Sequence, residues 1–214
     1  MCGHRRVWSA LSIAAVLGGC GSVLDLSDPV PAATTDASGA DDAAPRDATG
    51  GSGPHVADSE ADFADHQRYR GWEYLVREGG ALRELTYFSG CWRPQINADP
   101  SICKKKMQAS KPASGSEQLP VRRWLASIDG KVRLDIAVER ASASDTCGDG
   151  RTLRLLVDGT ERAAIFVASN EARTLEQAVV VEVQVGSAVD FELAPGRDHE
   201  CDDTELTATV TSAP

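Results

Sequence analysis

Two acidic segments in the C-terminal half of the chain carry the side chains best suited to binding an ion. The acids of these segments are Asp145, Asp149, Asp202 and Asp203. Carboxylate oxygens are preferred ligands of Ca²⁺, which takes roughly 6–8 oxygens at about 2.3–2.6 Å. A disulfide between Cys147 and Cys201 would bring the four carboxylates to one edge of a domain. They form a candidate calcium site; the alternative is a pair of solvated loops, since no D-x-[DN]-x-[DN]-G loop is present.

The N-terminus has the layout of a secretory signal. His4-Arg5-Arg6 precede the apolar segment Val7–Leu17, which is too short to span a bilayer because a span needs roughly 20 residues. Leu17-Gly18-Gly19-Cys20 resembles the lipobox of bacterial lipoproteins. In that family the peptide is cut before the cysteine, which is then acylated. The resemblance implies a lipid anchor on Cys20, and Gly21 in place of Asp implies the outer membrane. The alternative is an ordinary signal peptide with a free thiol at Cys20.

The remaining cysteines indicate crosslinks. Beyond Cys20 there are four, and an even count in an exported chain is typical of disulfides, with three connectivities open. We favour Cys91–Cys103, which closes a short loop, and Cys147–Cys201, which joins the two acidic segments. The rival is one zinc ion bound by all four thiolates, but the chain has no C-x-x-C pair of the kind that structural zinc sites use.

Aromatic side chains offer flat surfaces on which a sugar ring could stack. Trp92 lies in the loop that the first disulfide would close, and we expect it to be the exposed candidate. Trp72 and Tyr74 share one face of a predicted strand and could serve either the ligand surface or the core. Trp124 is predicted to lie in the core.

No arrangement of residues predicts catalysis. The chain has no Gly-x-Ser-x-Gly nucleophile elbow, and His199 is predicted to be a loop residue. Glycoside hydrolysis would need a pair of carboxylates, one of them an acid with a raised pKa. The strand acids Asp135, Glu139, Glu182 and Asp190 alternate with apolar residues, which is typical of a solvated sheet face. We therefore expect a protein that is not an enzyme.

Strands are the elements predicted to position these side chains. Seven segments are predicted to be strands, and in most of them apolar residues alternate with polar ones. The segments are 72–77, 82–88, 121–126, 132–138, 175–185, 189–193 and 206–210. Asp158-Gly159 predicts a tight hairpin, because these residues tolerate positive φ angles. A short helix between Glu60 and Arg70 is a further prediction. The pattern indicates an all-β domain, an antiparallel β-sandwich or jelly roll.

Composition divides the chain into three segments. Residues 1–19 are the predicted signal peptide, and 20–62 are the lipidated cysteine with a disordered, acidic linker poor in large apolar groups. Residues 63–214 are the predicted β-sandwich domain. The formal net charge of −10 lacks the basic surface of a nucleic-acid-binding protein, so we expect no nucleic-acid partner.

The order of short motifs over residues 70–212 carries a second resemblance. The motifs are Gly71-Trp72-Glu73-Tyr74, Leu119-Pro120-Val121-Arg122-Arg123-Trp124, Asp129-Gly130-Lys131-Val132, Gly148-Asp149-Gly150, Leu156-Val157-Asp158-Gly159 and Val189-Asp190-Phe191. This order resembles a jelly-roll module of exported bacterial polysaccharide-active and surface proteins. The resemblance implies a non-catalytic domain that binds carbohydrate at the cell surface. The alternative is an interaction lipoprotein that binds an envelope protein. The basic cluster Lys104, Lys105, Lys106 and Lys111 could contact an acidic partner or an anionic polysaccharide, or could be a solvated loop.

Overall fold

The structure, a computed structural model of the whole chain, describes residues 53–96, 98–110, 117–141, 149–171, 173–196 and 203–214. These residues form fourteen β-strands and no helix. In chain order the strands are β1 (His55–Asp58), β2 (Trp72–Glu78), β3 (Ala81–Glu84), β4 (Thr86–Phe88), β5 (Cys91–Arg93), β6 (Ser101–Cys103), β7 (Lys106–Gln108), β8 (Gln118–Leu125), β9 (Gly130–Arg140), β10 (Arg151–Val157), β11 (Thr160–Val167), β12 (Leu175–Val183), β13 (Ala188–Pro195) and β14 (Thr204–Ser212). The prediction of an all-β domain is confirmed.

The strands form two antiparallel sheets that pack face to face. In sheet A the strand order is β12-β9-β14-β7-β6-β5-β4, and β1 also pairs with β14. In sheet B the order is β11-β10-β13-β8-β2-β3. One buried apolar cluster draws side chains from the inner faces of both sheets. The predicted antiparallel β-sandwich is therefore confirmed, with strands distant in sequence, such as β9 and β14, lying side by side.

Alternation along each strand decides which side chains reach the core. In β9 the residues Val132, Leu134, Ile136 and Val138 are buried, while the residues between them point away from sheet B. Trp72 on β2 stands opposite Trp124 on β8, and both rings are buried. Successive side chains of a strand point to opposite faces, so this period of two creates one apolar and one polar face. The prediction that Trp124 lies in the core is confirmed.

The predicted hairpin forms between β10 and β11. Val157 pairs with Thr160, and the two residues between them have positive φ angles, 48° at Asp158 and 77° at Gly159. Two successive positive φ angles are what a type I′ turn requires, and its twist matches that of the flanking strands.

The segment before β2 does not form the helix predicted for it. No helix forms between Glu60 and Arg70; the carboxylate of Asp58 instead accepts hydrogen bonds from the backbone N–H groups of Glu60 and Ala61, each at 2.8 Å. Arg68 and Arg70 have φ angles of 66° and 49°, which an α-helix cannot contain. Local side-chain bonds to the backbone therefore prevail over helix formation here.

The ordered domain also begins earlier than the predicted boundary at residue 63. His55 pairs with Thr211 and Asp58 with Thr209, so β1 adds a strand to sheet A from within the predicted linker. The backbone hydrogen bonds to β14 hold this polar segment, and its buried Ala57 reaches the core. Composition could not reveal such a strand, because its stability comes from its partner.

A disulfide and a buried arginine hold one end of the sandwich together. Cys91 on β5 and Cys103 on β6 stand opposite each other and form the predicted disulfide. The guanidinium of Arg122 is fully buried and donates hydrogen bonds to the backbone oxygens of Ser59 at 3.2 Å, Cys103 at 2.7 Å and Lys104 at 3.2 Å. Burial lowers the pKa of Arg122 to about 10, so the side chain is charged at neutral pH.

Candidate functional site

The three aromatic candidates for ligand contact all lie in the core. Trp92 is only 4% exposed, and its ring stacks on that of Tyr74 with centroids 4.9 Å apart. Its Nε1 donates a hydrogen bond of 3.0 Å to the backbone oxygen of Ala64. Trp72 and Tyr74 are fully buried. The expectation that Trp92 is exposed is wrong, because residues 91–93 form a strand whose middle side chain points inward. In this fold none of the three rings can stack on a sugar.

Among the residues that the structure describes, two other aromatic side chains are exposed, and sequence analysis missed both. Phe166 is an outward residue of the edge strand β11, between the buried residues Ile165 and Val167. Tyr69 lies in the turn before β2, with its ring 5.2 Å from that of His66. Alternation in β11 was the available signal for Phe166. Nothing in the sequence indicates the exposure of Tyr69.

The candidate calcium ligands are only half described. Asp145 and Asp202 lie outside the described residues, as do Cys147 and Cys201. Of the other two acids, Asp203 forms an ion pair with Lys106, and the carboxylate of Asp149 lies against Gly196. Among the residues that the structure describes, no group of three His, Cys, Asp or Glu side chains is placed to hold a metal. Calcium binding and the second disulfide therefore stay predictions.

The basic cluster at 104–106 pairs with acids of this same chain. The Nζ atoms of Lys104 and Lys105 lie 3.7 and 3.2 Å from the carboxylate oxygens of Glu60, and Lys106 pairs with Asp203. Lys111 lies outside the described residues. These ion pairs connect residues 104–106, which lead from β6 into β7, to the turn after β1 and to the residue before β14.

Carboxylates on the outer face of sheet B are buried in a network of arginines. Asp190 is 1% exposed and Glu192 is 0% exposed, so the prediction that Asp190 lies on a solvated face is wrong. Arg123 donates to both carboxylate oxygens of Asp190, at 2.6 and 3.0 Å. Arg77 reaches Asp190 and Glu192, and Arg154 donates to Glu192 at 3.0 Å. Arginine side chains from β2, β8 and β10 cover the acids of β13. The alternation of residues along one strand cannot predict burial by side chains of neighbouring strands.

The outer face of sheet A carries the groove that we take as the candidate site. We call it the sheet A groove; its volume is about 380 Å³, and it is lined by Arg133, Asp135, Ile136, Ala137, Glu176, Gln177, Ala178, Thr207 and Thr209. A smaller hollow of about 130 Å³ continues it, lined by Lys105, Ala137, Glu139, Thr174, Glu205 and Thr207. The two share Ala137 and Thr207, so they form one continuous depression across β12, β9 and β14.

Small side chains create this depression. Ala178, Asp135 and Thr209 form one row across the three strands, and in the next row Ala137 lies between Glu176 and Thr207. Where the face carries alanine or threonine, the longer neighbouring side chains stand above it as walls. The floor is therefore nearly flat and rich in hydroxyl groups, and the walls are charged.

Arg133 and Asp135 form an ion pair at one end of the groove. The Nε of Arg133 donates to both oxygens of Asp135, at 2.9 and 3.1 Å, and both side chains are about half exposed. The hydrogen bond to Asp135 raises the pKa of Arg133. At the other end, Thr174 donates a hydrogen bond of 2.6 Å to the carboxylate of Glu139. The solvated placement predicted for Asp135 agrees with its exposure.

No protein-family profile matches the sequence, and neither does any curated protein. No helix in the described part of the chain is long and apolar enough to cross a membrane.

Several solved structures are similar to this one at low identity. A family 35 carbohydrate-binding module from Clostridium thermocellum aligns at 15% identity and a TM-score of 0.31, covering 51% of this chain and 89% of the module. The C-terminal family 6 module of LamC from Zobellia galactanivorans aligns at 12% identity and a TM-score of 0.29, covering 65% and 99%. The vertex protein P5 of PRD1 aligns at 16% identity and a TM-score of 0.33, covering 67% and 96%. At such low scores these likenesses carry no information about a ligand; the chain is similar to two carbohydrate-binding modules and a viral vertex protein.

Proposed function

We propose that this chain is a lipid-anchored protein of the bacterial envelope, held in the outer membrane through Cys20, whose sheet A groove binds a carbohydrate chain without catalysis. The groove itself is the observation that carries the proposal. Its volume of about 380 Å³ lies within the range of ligand sites, roughly 300–1,000 Å³.

The lining suits a ligand covered in hydroxyl groups. Thr207 and Thr209 supply hydroxyls that can donate or accept, and Asp135 and Glu176 supply carboxylates that accept. The flat floor of small side chains lets a sugar ring approach the sheet. Hydrogen bonds to charged groups are about twice as strong as neutral ones, so these walls can orient hydroxyls.

The absence of catalysis is part of the same proposal. A general acid for glycoside hydrolysis needs a carboxyl that is shielded from water, because desolvation favours the protonated form. Asp135 and Glu176 lie on an open sheet face. The buried acids Asp190 and Glu192 have all their carboxylate oxygens engaged by arginines and line none of the described grooves.

The anchor is supported by the lipobox residues Leu17-Gly18-Gly19-Cys20 and by the basic, apolar signal before them. Its test is separate from that of the groove. Labelled palmitate should be incorporated into the protein in a bacterial host, and Cys20→Ser should abolish the incorporation. Retention of label by the variant would contradict the anchor.

Binding is tested by filling the groove. The disulfide-intact protein is titrated against a panel of neutral and charged polysaccharides, with Ca²⁺ and with a chelator, which also tests the acidic segments. Ala137→Trp should weaken any saturable binding at least tenfold, because the indole would occupy the groove. Ala164→Trp is the matched control, since Ala164 is an exposed alanine on the outer face of sheet B. Equal binding by both variants would refute this groove as the site.

A further inference from the structure

The narrow end of the sheet A groove concentrates negative charge. Glu139 on β9 stands directly opposite Glu205 on β14, and Glu176 on β12 stands opposite the neighbouring Ala137. Directly opposite residues have Cβ atoms about 4.5–5.5 Å apart, and diagonal ones about 7–8 Å. The side chains of Glu139 and Glu205 therefore lie side by side at one end of the depression, and Glu176 is a diagonal neighbour of Glu139.

The cations near this end are engaged elsewhere. Lys105, which lines the groove, and Lys106, which stands opposite Glu205, pair with Glu60 and Asp203. Within the described residues, Glu139, Glu176 and Glu205 form no ion pair. Like charges placed directly opposite each other destabilise a sheet. Such a local conflict in an otherwise consistent fold is a mark of a functional surface.

We propose that the groove selects glycans that carry protonated amino groups, an inference that rests on the proposed function above. An ammonium group between the carboxylates of Glu139 and Glu205, beside Glu176, would replace repulsion with attraction. The hydroxyls of Thr174 and Thr207 beside the carboxylates suit the hydroxyl groups of the same sugar. A basic peptide fits less well, because the floor has no apolar pocket that could hold a side chain.

The test uses two probes with the same sugar backbone and length: an oligomer of β-1,4-linked glucosamine, and its N-acetylated counterpart, in which a neutral acetamide replaces each ammonium group. Calorimetry at pH 6 and low salt should show at least tenfold tighter binding of the amine form. The preference should fall as salt is added, because exposed charges are screened.

Charge-removing variants connect this preference to Glu139 and Glu205. Glu139→Gln combined with Glu205→Gln should abolish the preference while binding of the N-acetylated oligomer persists. Glu182→Gln is the control, because Glu182 lies on the same outer face of β12 but opposite Lys131 and outside the groove. Independently of any ligand, the double variant should have a higher Tm than the unsubstituted protein, because a like-charge pair is gone.

The outcomes separate this inference from the proposed function. Equal binding of the two oligomers, or a preference that the double variant retains, would overturn the inference and leave glycan binding in place. Binding of oligolysine without binding of the glucosamine oligomer would overturn it in favour of a peptide partner. If no glycan of either kind binds, the proposed function and this inference both fail.

Discussion

Replacing Arg122 by Met should destabilise the fold, although it removes a charge from the core. The guanidinium lies inside the sandwich and holds three backbone oxygens, those of Ser59, Cys103 and Lys104. These oxygens belong to the turn after β1, to the last residue of β6 and to the residue that follows it. The side chain thus connects these segments to β8, and its loss would leave three polar groups without their donor.

The magnitude follows from two opposing contributions. A hydrogen bond to a charged group stabilises by about 1.5–3 kcal/mol, so three of them contribute roughly 6 kcal/mol. Against this, burial lowers the pKa of Arg122 from its ordinary value to about 10, which corresponds to an opposing cost of about 3 kcal/mol. We therefore expect Arg122→Met to lower the free energy of unfolding by about 3 kcal/mol.

The assay is urea unfolding of the disulfide-intact protein, followed by tryptophan fluorescence and circular dichroism. Arg133→Met is the control, because Arg133 forms an exposed ion pair and such pairs contribute little to stability. An Arg122→Met variant as stable as the unsubstituted protein would refute the reasoning. It would mean that the cost of burying the charge equals or exceeds what the three hydrogen bonds contribute, as at some buried ion pairs.

Two further changes test the core and the outer face of sheet B. Burial raises the pKa of Tyr74, so its contribution to stability is fully present below pH 10 and is lost as the pH rises toward the folded-state value. Urea unfolding at pH 9 and pH 11 should show a smaller loss of stability in Tyr74→Phe than in the unsubstituted protein; equal losses would contradict this. Asp190→Asn should cost about 2–3 kcal/mol in the same assay, because Arg77 and Arg123 lose their charged partner. Glu182→Gln, on an exposed edge, should change stability by no more than about 0.5 kcal/mol, and a similar loss in both variants would mean that the arginine network contributes nothing.

The fold followed from local patterns in the sequence. A period of two in β9, β12 and β14 is a property of neighbouring residues, and it correctly indicated strands with one buried face. The turn at Asp158-Gly159 is equally local, since two adjacent residues determine its φ angles. The disulfide between Cys91 and Cys103 could also be predicted from the sequence, because only a short loop separates the two cysteines.

The surfaces depended on contacts between residues that are far apart in the chain. Alternation shows which side chains of β13 share a face, but only the order of strands in sheet B brings Arg77 and Arg123 over Asp190. In the same way, Trp92 is buried because a three-residue strand turns it toward Tyr74.

The candidate groove shows most clearly the difference between what a single strand determines and what contacts between strands determine. Its floor joins Ala137, Ala178 and Thr207, which lie on three strands that pair only through long-range contacts. Sequence by itself determined that each of these residues faces outward, because that depends on the pleat of a single strand. Only the tertiary structure decided that they lie side by side, because strand order is set by which buried faces pack together across the whole sandwich.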